Sequence, residues 1–576
     1  MSVSPIQHSV IGSVAVRRRR SRRVIPVTAM MAAVSLMAGA CSGKAADNGG
    51  SRTTVGENSF VTTTPAAVGT VPKVDWNLFY EPTSLDPAHA LNYTENEVLS
   101  NLCEPLVTLN PDFSYSPNLA TYANPNPTTW IYTIRSGVKF WDGHPLTAAD
   151  VAYSLNRNLS SSVGSYYGDY FRYVKSIRRT GPLQVTVSLK SPDELFNQAM
   201  AIAAGAVTEK KFDEAHPKNL GSPSVGVMCT GPYTFTSWSP GQSLVIDKNE
   251  NYWNKGTVTP KVGRIAFQFN ATDSSQTNAL TSGELQGMYE APVSGTRSLR
   301  ASGNLYLGKS LSQFVITMLL HNSGRAANPV NDVRVRQALS LAMDRAAVAK
   351  TVFNGTAVPP ASRTLFAEPV YPYGQKVFEQ AQQKTLPSLD QDLTRAKALV
   401  KAAGSPTTPM VLAYVSDGPS YNVQLAQYIQ ASAQGIGLKI TLKPLTTNAF
   451  NNIGFDPKAD AGIDMLIQNW FNELPDPVQF YRLFTPGADG SLNVFNYGKY
   501  QNAEVTADIT KATRTADPTE RARLVVAAQK QVMTDLPWIP LVDMANRLYM
   551  NKDLTGPPAA FVQMWYPWAA HLGASK

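Results

Sequence analysis

The sequence predicts an α/β protein made of two or three packed lobes. Three observations carry that expectation. The chain has 576 residues, more than a single hydrophobic core serves, so it divides. Its later half alternates helical and strand patterns, and no period of roughly 20–50 residues recurs, which excludes a solenoid. Charged residues make up 16% and hydrophobic ones 43%, which fits neither a disordered chain nor a coiled coil.

At the N-terminus, six arginines (Arg17 to Arg20, Arg22 and Arg23) precede an apolar stretch, Val24 to Ala40, that ends in small residues before Cys41. That order is a signal peptide, residues 1–40. As a membrane span it is poor, because its 17 residues include Pro26, Thr28, Ser35 and Gly39. Leu36 to Cys41 resembles a bacterial lipobox, which implies a lipid on Cys41; Ala38 stands where leucine is usual. Ser21 to Ile25 also resembles a twin-arginine signal, so two export routes stay open. The same arginines account for most of the formal charge of +9, leaving 45 basic against 42 acidic residues. A nearly neutral body gives no support to a nucleic-acid surface.

Residues 41–70 read as a tether, because Ser42 to Thr70 is rich in Ser, Thr, Gly, Ala and Asn. As a flexible coil those residues would reach roughly 30 Å. With Cys41 set aside, Cys103 and Cys229 form an even pair in an exported chain, where a disulfide is the natural reading and two buried thiols the alternative.

From Val71 the pattern is globular. Ile131 to Phe140 and Leu183 to Leu189 alternate as half-exposed strands, with Gly181-Pro182 turning into the second. Thr147 and Asp150 form a capping box for a helix that carries Val151 and Leu155 on one face. Asp332 opens a helix with Val335, Ala338, Leu339 and Ala342 on one stripe, and Asp344 caps the next, which stops near Gly355. Gln424 to Gly435 reads as a helix, followed by strands at Leu438 to Leu442 and Asp464 to Ile467. Asp517-Pro518-Thr519-Glu520 starts a helix that ends before Pro537.

No residue cluster advertises catalysis. The six histidines (His8, His89, His144, His216, His321 and His571) are scattered, and there is no HExxH, CxxC, GxSxG or Walker loop, so neither a metal, a cofactor nor an enzyme is indicated. Asp142 and His144 lie in a Trp-Asp-Gly-His-Pro sequence that reads as a tight turn.

Several segments, in order, resemble the peptide- and nickel-binding class of ABC-importer solute-binding proteins, family 5, with its oligopeptide and dipeptide receptors. They include Pro82 to Pro87, Asn101 to Leu106, Tyr132 to Gly143, Pro145 to Val151, Cys229 to Tyr233, Asn249 to Trp253, Asp332 to Ala338, Trp470 to Pro477 and Asn496-Tyr497. The resemblance spans roughly Asp75 to Lys552. It implies a two-lobed, periplasmic-binding-protein-like clamp of type II, with an extra subdomain in lobe I. Lobe I would comprise 71–313 and 544–576, lobe II 314–543, and the crossovers near Gln313 to Leu320 and Pro540 to Met550 would form the hinge.

The function this implies is an exported, lipid-anchored, monomeric receptor that passes peptides to an ABC permease. In peptide-binding members a carboxylate three residues after a cleft tryptophan holds the ligand's α-ammonium group. The matching residues here are Trp470 and Glu473, with glutamate in place of the usual aspartate and Asp476 as a rival anchor. The arginine some receptors place three residues before the tryptophan is Ile467, so no carboxylate clamp carries over. Asn92 and Tyr93 line the cleft by the same resemblance, and Tyr80 and Glu81 are weaker candidates. A nickel chelate, a sugar or another small solute are alternative ligands; an exported hydrolase and a signalling receptor are alternatives of other classes.

Overall fold

Two mixed β-sheets organise the chain, and paired strands run from one into the other. The structure, a computed structural model, describes residues 60–320, 328–367, 373–454, 456, 458–487 and 490–576. The expected signal segment and lipidated Cys41 lie outside the described residues.

The first sheet has seven strands in the order Asn304–Gly308, Asn546–Met550, Gly287–Met288, Val71–Leu78, Val262–Phe269, Ser243–Lys248 and Tyr233–Ser239. The second has six: Ala357–Val358, Trp538–Met544, Ser312–Met318, Met465–Phe471, Met410–Val415 and Ile440–Leu445. Asn304–Gly308 pairs antiparallel with Asn546–Met550 in the first, and their continuations Ser312–Met318 and Trp538–Met544 pair antiparallel in the second. The chain therefore crosses between sheets at 309–311 and at Ala545, side by side. The first crossover expected from sequence, Gln313 to Leu320, falls almost wholly within a strand that is buried along its whole length. Its apolar residues Phe314, Val315, Ile316 and Met318 suit a central strand covered on both faces, and the buried Gln313 and Thr317 side chains are hydrogen-bonded to Asp543 and Gln468.

A four-stranded antiparallel sheet, Ala120–Asn126, Thr129–Ile134, Gln184–Leu189 and Val174–Gly181, forms a separate layer backed by the helix Ala148–Arg157. Its start and finish are joined where Cys103, at the end of the helix Tyr93–Leu102, is bonded to Cys229, with Cα atoms 5.0 Å apart. The C-terminal segment returns to the seven-stranded sheet. There Trp568 stacks on Trp76 at 4.5 Å and donates its indole N–H to the Glu97 carbonyl.

Local signals explain the element ends. The Thr147 hydroxyl caps Ala149 N–H, and the Asp150 carboxylate answers by accepting from the Thr147 backbone, completing the capping box. Asp517 accepts from Glu520 N–H at 2.7 Å and Pro518 supplies the first helical residue of Pro518–Asp535. The strand expected to run to Phe140 leaves its sheet at Ile134, because Gly137 turns with φ +83°. The strand expected from Leu438 begins at Ile440. Gly437 adopts φ +88° and Leu438 N–H closes the preceding helix onto the Ala433 carbonyl, so these residues belong to a helix end.

Residues 60–70, expected as the end of a free tether, are docked instead. Val61 bonds through its backbone to Leu307 and Lys309, Thr62 accepts from Ala559 and Ala560, and Val68 pairs with Ala574. Phe60 packs with Leu307, Val358 and Ala545 at the crossover. A segment poor in large side chains still binds an edge when its backbone groups find partners, which composition alone does not reveal.

Candidate functional site

The strand Met465–Phe471 ends opposite the start of Ser312–Met318, with Trp470 beside Gln313 and Phe471 beside Ser312. Its last residues therefore arrive at a crossover. Asn472 N–H then bonds the Leu311 carbonyl at 2.9 Å, which ties the following turn to the crossover segment itself. Glu473 sits on that turn.

The Tyr170 hydroxyl, from the short helix Gly168–Phe171 beside the four-stranded sheet, donates to Glu473 Oε2 at 2.6 Å. Glu473 Oε1 is buried and has no hydrogen-bond partner among the described residues. The residue is half-buried as a whole, so its stem reaches the boundary while that oxygen is shut away. Burial pushes the carboxyl up to about 7; the Tyr170 bond opposes the rise and the nearby Asp169 charge adds to it. A buried acceptor with one empty side is a site for a donor, and a cation is the donor that also restores the ionised form.

Aromatic side chains surround this turn. The Tyr93 ring meets Phe471 at 4.8 Å and Phe561 at 5.5 Å. Its hydroxyl lies 3.4 Å from Ser312 Oγ and accepts from Asn469 Nδ2 at 3.3 Å, so Tyr93 spans from one sheet's helix to the other sheet's strands. Trp470 is half-buried against Phe480, Phe495 and Trp538, and its indole N–H donates to Asn472 Oδ1 at 3.3 Å. It props the turn that holds Glu473. Asn92 precedes the helix Tyr93–Leu102 without a side-chain cap bond, and its carbonyl accepts from Asn96 Nδ2.

Three expected site residues are engaged by neighbours within the protein. Asp476 is fully buried: Oδ2 accepts from Gln198 Nε2 and from Arg521 Nη2, each at 2.8 Å, and Oδ1 accepts from the Tyr373 hydroxyl and Val478 N–H. With its acceptor sites filled it has nothing to offer a ligand ammonium group. Tyr80 packs edge-on against Phe79 beside Thr94; burial, with the Glu95 charge behind it, keeps its phenol neutral. Glu81 is likewise engaged, accepting from Trp238 Nε1 and Gly241 N–H.

Sequence reasoning missed Tyr170, although the run Tyr166-Tyr167-Gly168-Asp169-Tyr170 was a visible aromatic signal. It also missed the buried ion pair between Arg482 and Asp193, 3.2 Å apart, with Arg482 touching Asp169 as well. With Gln198 to Asp476, this pair fastens the segment after the four-stranded sheet to elements around the six-stranded sheet, and Ser420 to Asp273 adds a contact from the seven-stranded side.

Two α/β lobes joined by paired crossover strands, with an under-satisfied carboxylate at their junction, define a solute-binding clamp. The chain belongs to the bacterial extracellular solute-binding proteins, family 5, whose model matches residues 114–491. It is thus a substrate-binding protein of an ABC importer, working outside the cytoplasm, and a binding protein rather than an enzyme. It is 28% identical over 483 residues to the glutathione-binding protein GsiB of Salmonella paratyphi A, covering 82% of this chain and 89% of that protein. Among solved structures, AgaA of A. tumefaciens R10 in complex with agropinic acid superposes with a TM-score of 0.74 at 20% identity, covering 88% of this chain and 99% of that one. The periplasmic binding protein DppA of Helicobacter pylori with the peptide STSA gives the same score, identity and coverage. Among the described residues no helix is long and apolar enough to cross a membrane.

Proposed function

We propose that this protein captures short peptides by their α-ammonium group at Glu473 and carries them to its permease. The observation behind this reading is the bare, buried Oε1 of Glu473 beside the Tyr170 bond on Oε2. An ammonium group brings three N–H donors and a charge, and satisfies both needs of that oxygen at once. Glutathione and the peptide STSA, bound by relatives, both offer a free ammonium group. Phe471, Tyr93 and Trp470 supply apolar walls that tolerate varied side chains.

The test is calorimetry with a peptide and its N-acetylated twin, on the parent and on Glu473→Gln. Acetylation and the substitution should each weaken binding by roughly several hundred-fold, because one partner of a desolvated charge pair is left alone. Together they should cost little more than either. A parent indifferent to acetylation overturns the ammonium reading.

The finer organisation is proposed as well. Lobe I comprises 71–313 and 544–576 and lobe II 314–543, acting as a monomer held to the membrane through lipid on Cys41. A fatty-acid probe should label the parent and not Cys41→Ser. The Cys103 to Cys229 bond forms after export; it closes a separation of 126 residues, for which chain entropy gives on the order of 4–5 kcal/mol. Non-reducing peptide mapping should recover the linked pair, and alkylatable thiols at both positions would refute it.

A further inference from the structure

Outside the cleft, three side chains converge on one point. In the turn between Trp141 and Pro145, Asp142 Oδ1 accepts from His144 N–H at 3.0 Å and Oδ2 lies 2.5 Å from His144 Nδ1. The same Nδ1 faces Glu209 Oε1 at 3.4 Å. Glu209 precedes the helix Lys210–Ala215, and its backbone is fixed by bonds to Met228 and Asp213. Its side chain is only 8% exposed yet makes no capping bond. The three ligand atoms all lie within 4.8 Å of one another.

Two carboxylates share one imidazole nitrogen here. One ring nitrogen carries at most one N–H, and Asp142 takes it at the shorter distance, so among the described residues the Glu209 carboxylate meets the ring only through the longer 3.4 Å contact. Asp150 takes no part, since its oxygens accept from Thr147 and Lys210 N–H.

We propose that Asp142, His144 and Glu209 bind one divalent transition-metal ion, with zinc as the best match, and so clip the turn to the helix. A neutral imidazole nitrogen and two carboxylate oxygens are a zinc donor set, whereas calcium and magnesium prefer oxygen alone. Ligands about 2.0–2.2 Å from a tetrahedral ion lie roughly 3.3–3.5 Å apart, and the separation of His144 from Glu209 already matches. Asp142 and His144 have room to adjust around an ion, since their side chains are 30% and 54% exposed. Water takes the fourth position on that open side. The site is separate from the ligand reading at Glu473, so either can fail alone.

Zinc chloride titrated into the purified chain tests this, in a Cys41→Ser background that carries neither lipid nor a competing thiol at that position. The expected result is one equivalent bound, a raised melting temperature, and affinity reduced at least about tenfold by His144→Ala and by Glu209→Gln. Cobalt(II) is the second probe: its visible spectrum should appear with the parent and vanish with His144→Ala, a substitution at an exposed side chain that leaves the fold intact. No saturable binding to the parent, or parent-like affinity in both variants, overturns the proposal. If Glu209→Gln unfolds the chain, the cobalt spectrum of His144→Ala decides by itself.

Discussion

Glu473 and Asp476 stand on one turn at the lobe junction, both as buried carboxylate groups, and the protein treats them in opposite ways. Asp476 has two N–H donors on Oδ2, a hydroxyl and a backbone N–H on Oδ1, and begins the helix Pro477–Tyr481. Among the described residues, Glu473 has one hydroxyl on Oε2 and no partner on Oε1. The difference separates the carboxylate that holds the turn from the one the proposed function uses, more sharply than residue type or burial does. A saturated carboxylate fixes the turn, and the unsaturated one, three residues earlier, is positioned by it.

The largest effect that would break the comparison falls on Asp476. Asp476→Ala strands the Arg521 guanidinium and removes a helix cap, so stability should drop by on the order of 3–5 kcal/mol. Urea unfolding reads this directly; a loss below about 1 kcal/mol would mean that Asp476 is not the structural member of the two.

Next comes ligand binding. Glu473→Gln should leave a folded clamp whose affinity for a free-amine peptide is lower by about 3 kcal/mol, while conservative changes at Asp476 that still fold should keep sensitivity to acetylation. Equal acetylation sensitivity in the parent and in Glu473→Gln would erase the distinction.

A somewhat smaller effect appears as pH dependence. Without ligand, Glu473 titrates near 7 rather than 4.5, so the folded state holds the proton more tightly than the unfolded one. The stabilisation from the protonated carboxyl is fully present below about pH 4.5 and is lost as pH rises through 7. Ligand-free Glu473→Gln should therefore match the parent near pH 4 and exceed it at pH 8 by up to about 3 kcal/mol, less whatever its half-exposed stem recovers through solvent. Affinity for an amine ligand should climb over the same window and level off above it. Melting curves and titrations across pH 4–9 measure both, and a flat profile counts against the buried carboxylate.

The smallest effect belongs to Tyr170→Phe. Losing one hydrogen bond costs about 1 kcal/mol. Because that bond holds the Glu473 carboxyl down, the midpoint of the affinity profile should also move to higher pH. An unshifted midpoint would mean that the hydroxyl and the carboxylate are uncoupled.

Much of the fold was legible because its signals are local. Thr147 with Asp150, Asp332, Asp344 and Asp517-Pro518 each mark a helix start within a few residues, and each caps a helix in the structure. Asp476-Pro477 is the same N-cap and proline pattern, and weighing it as a ligand group obscured that. Positive-φ turns at Gly137 and Gly437 moved strand ends that hydrophobic alternation alone had drawn too long or too early.

The sequence by itself determined the α/β class, the caps, the family through its ordered motifs, and Trp470 with Glu473 as the pair to examine. Short-range chemistry writes those features into neighbouring residues. Only the tertiary structure decided which carboxylate was left unsatisfied, since the answer depends on Gln198, Tyr373 and Arg521 reaching Asp476 while, among the described residues, Tyr170 alone reaches the Glu473 carboxylate. It likewise decided that 60–70 docks along a crossover strand and that Glu209 faces the Asp142 turn. Satisfaction of a buried polar group is a sum over partners from distant parts of the chain, and no local pattern encodes that sum.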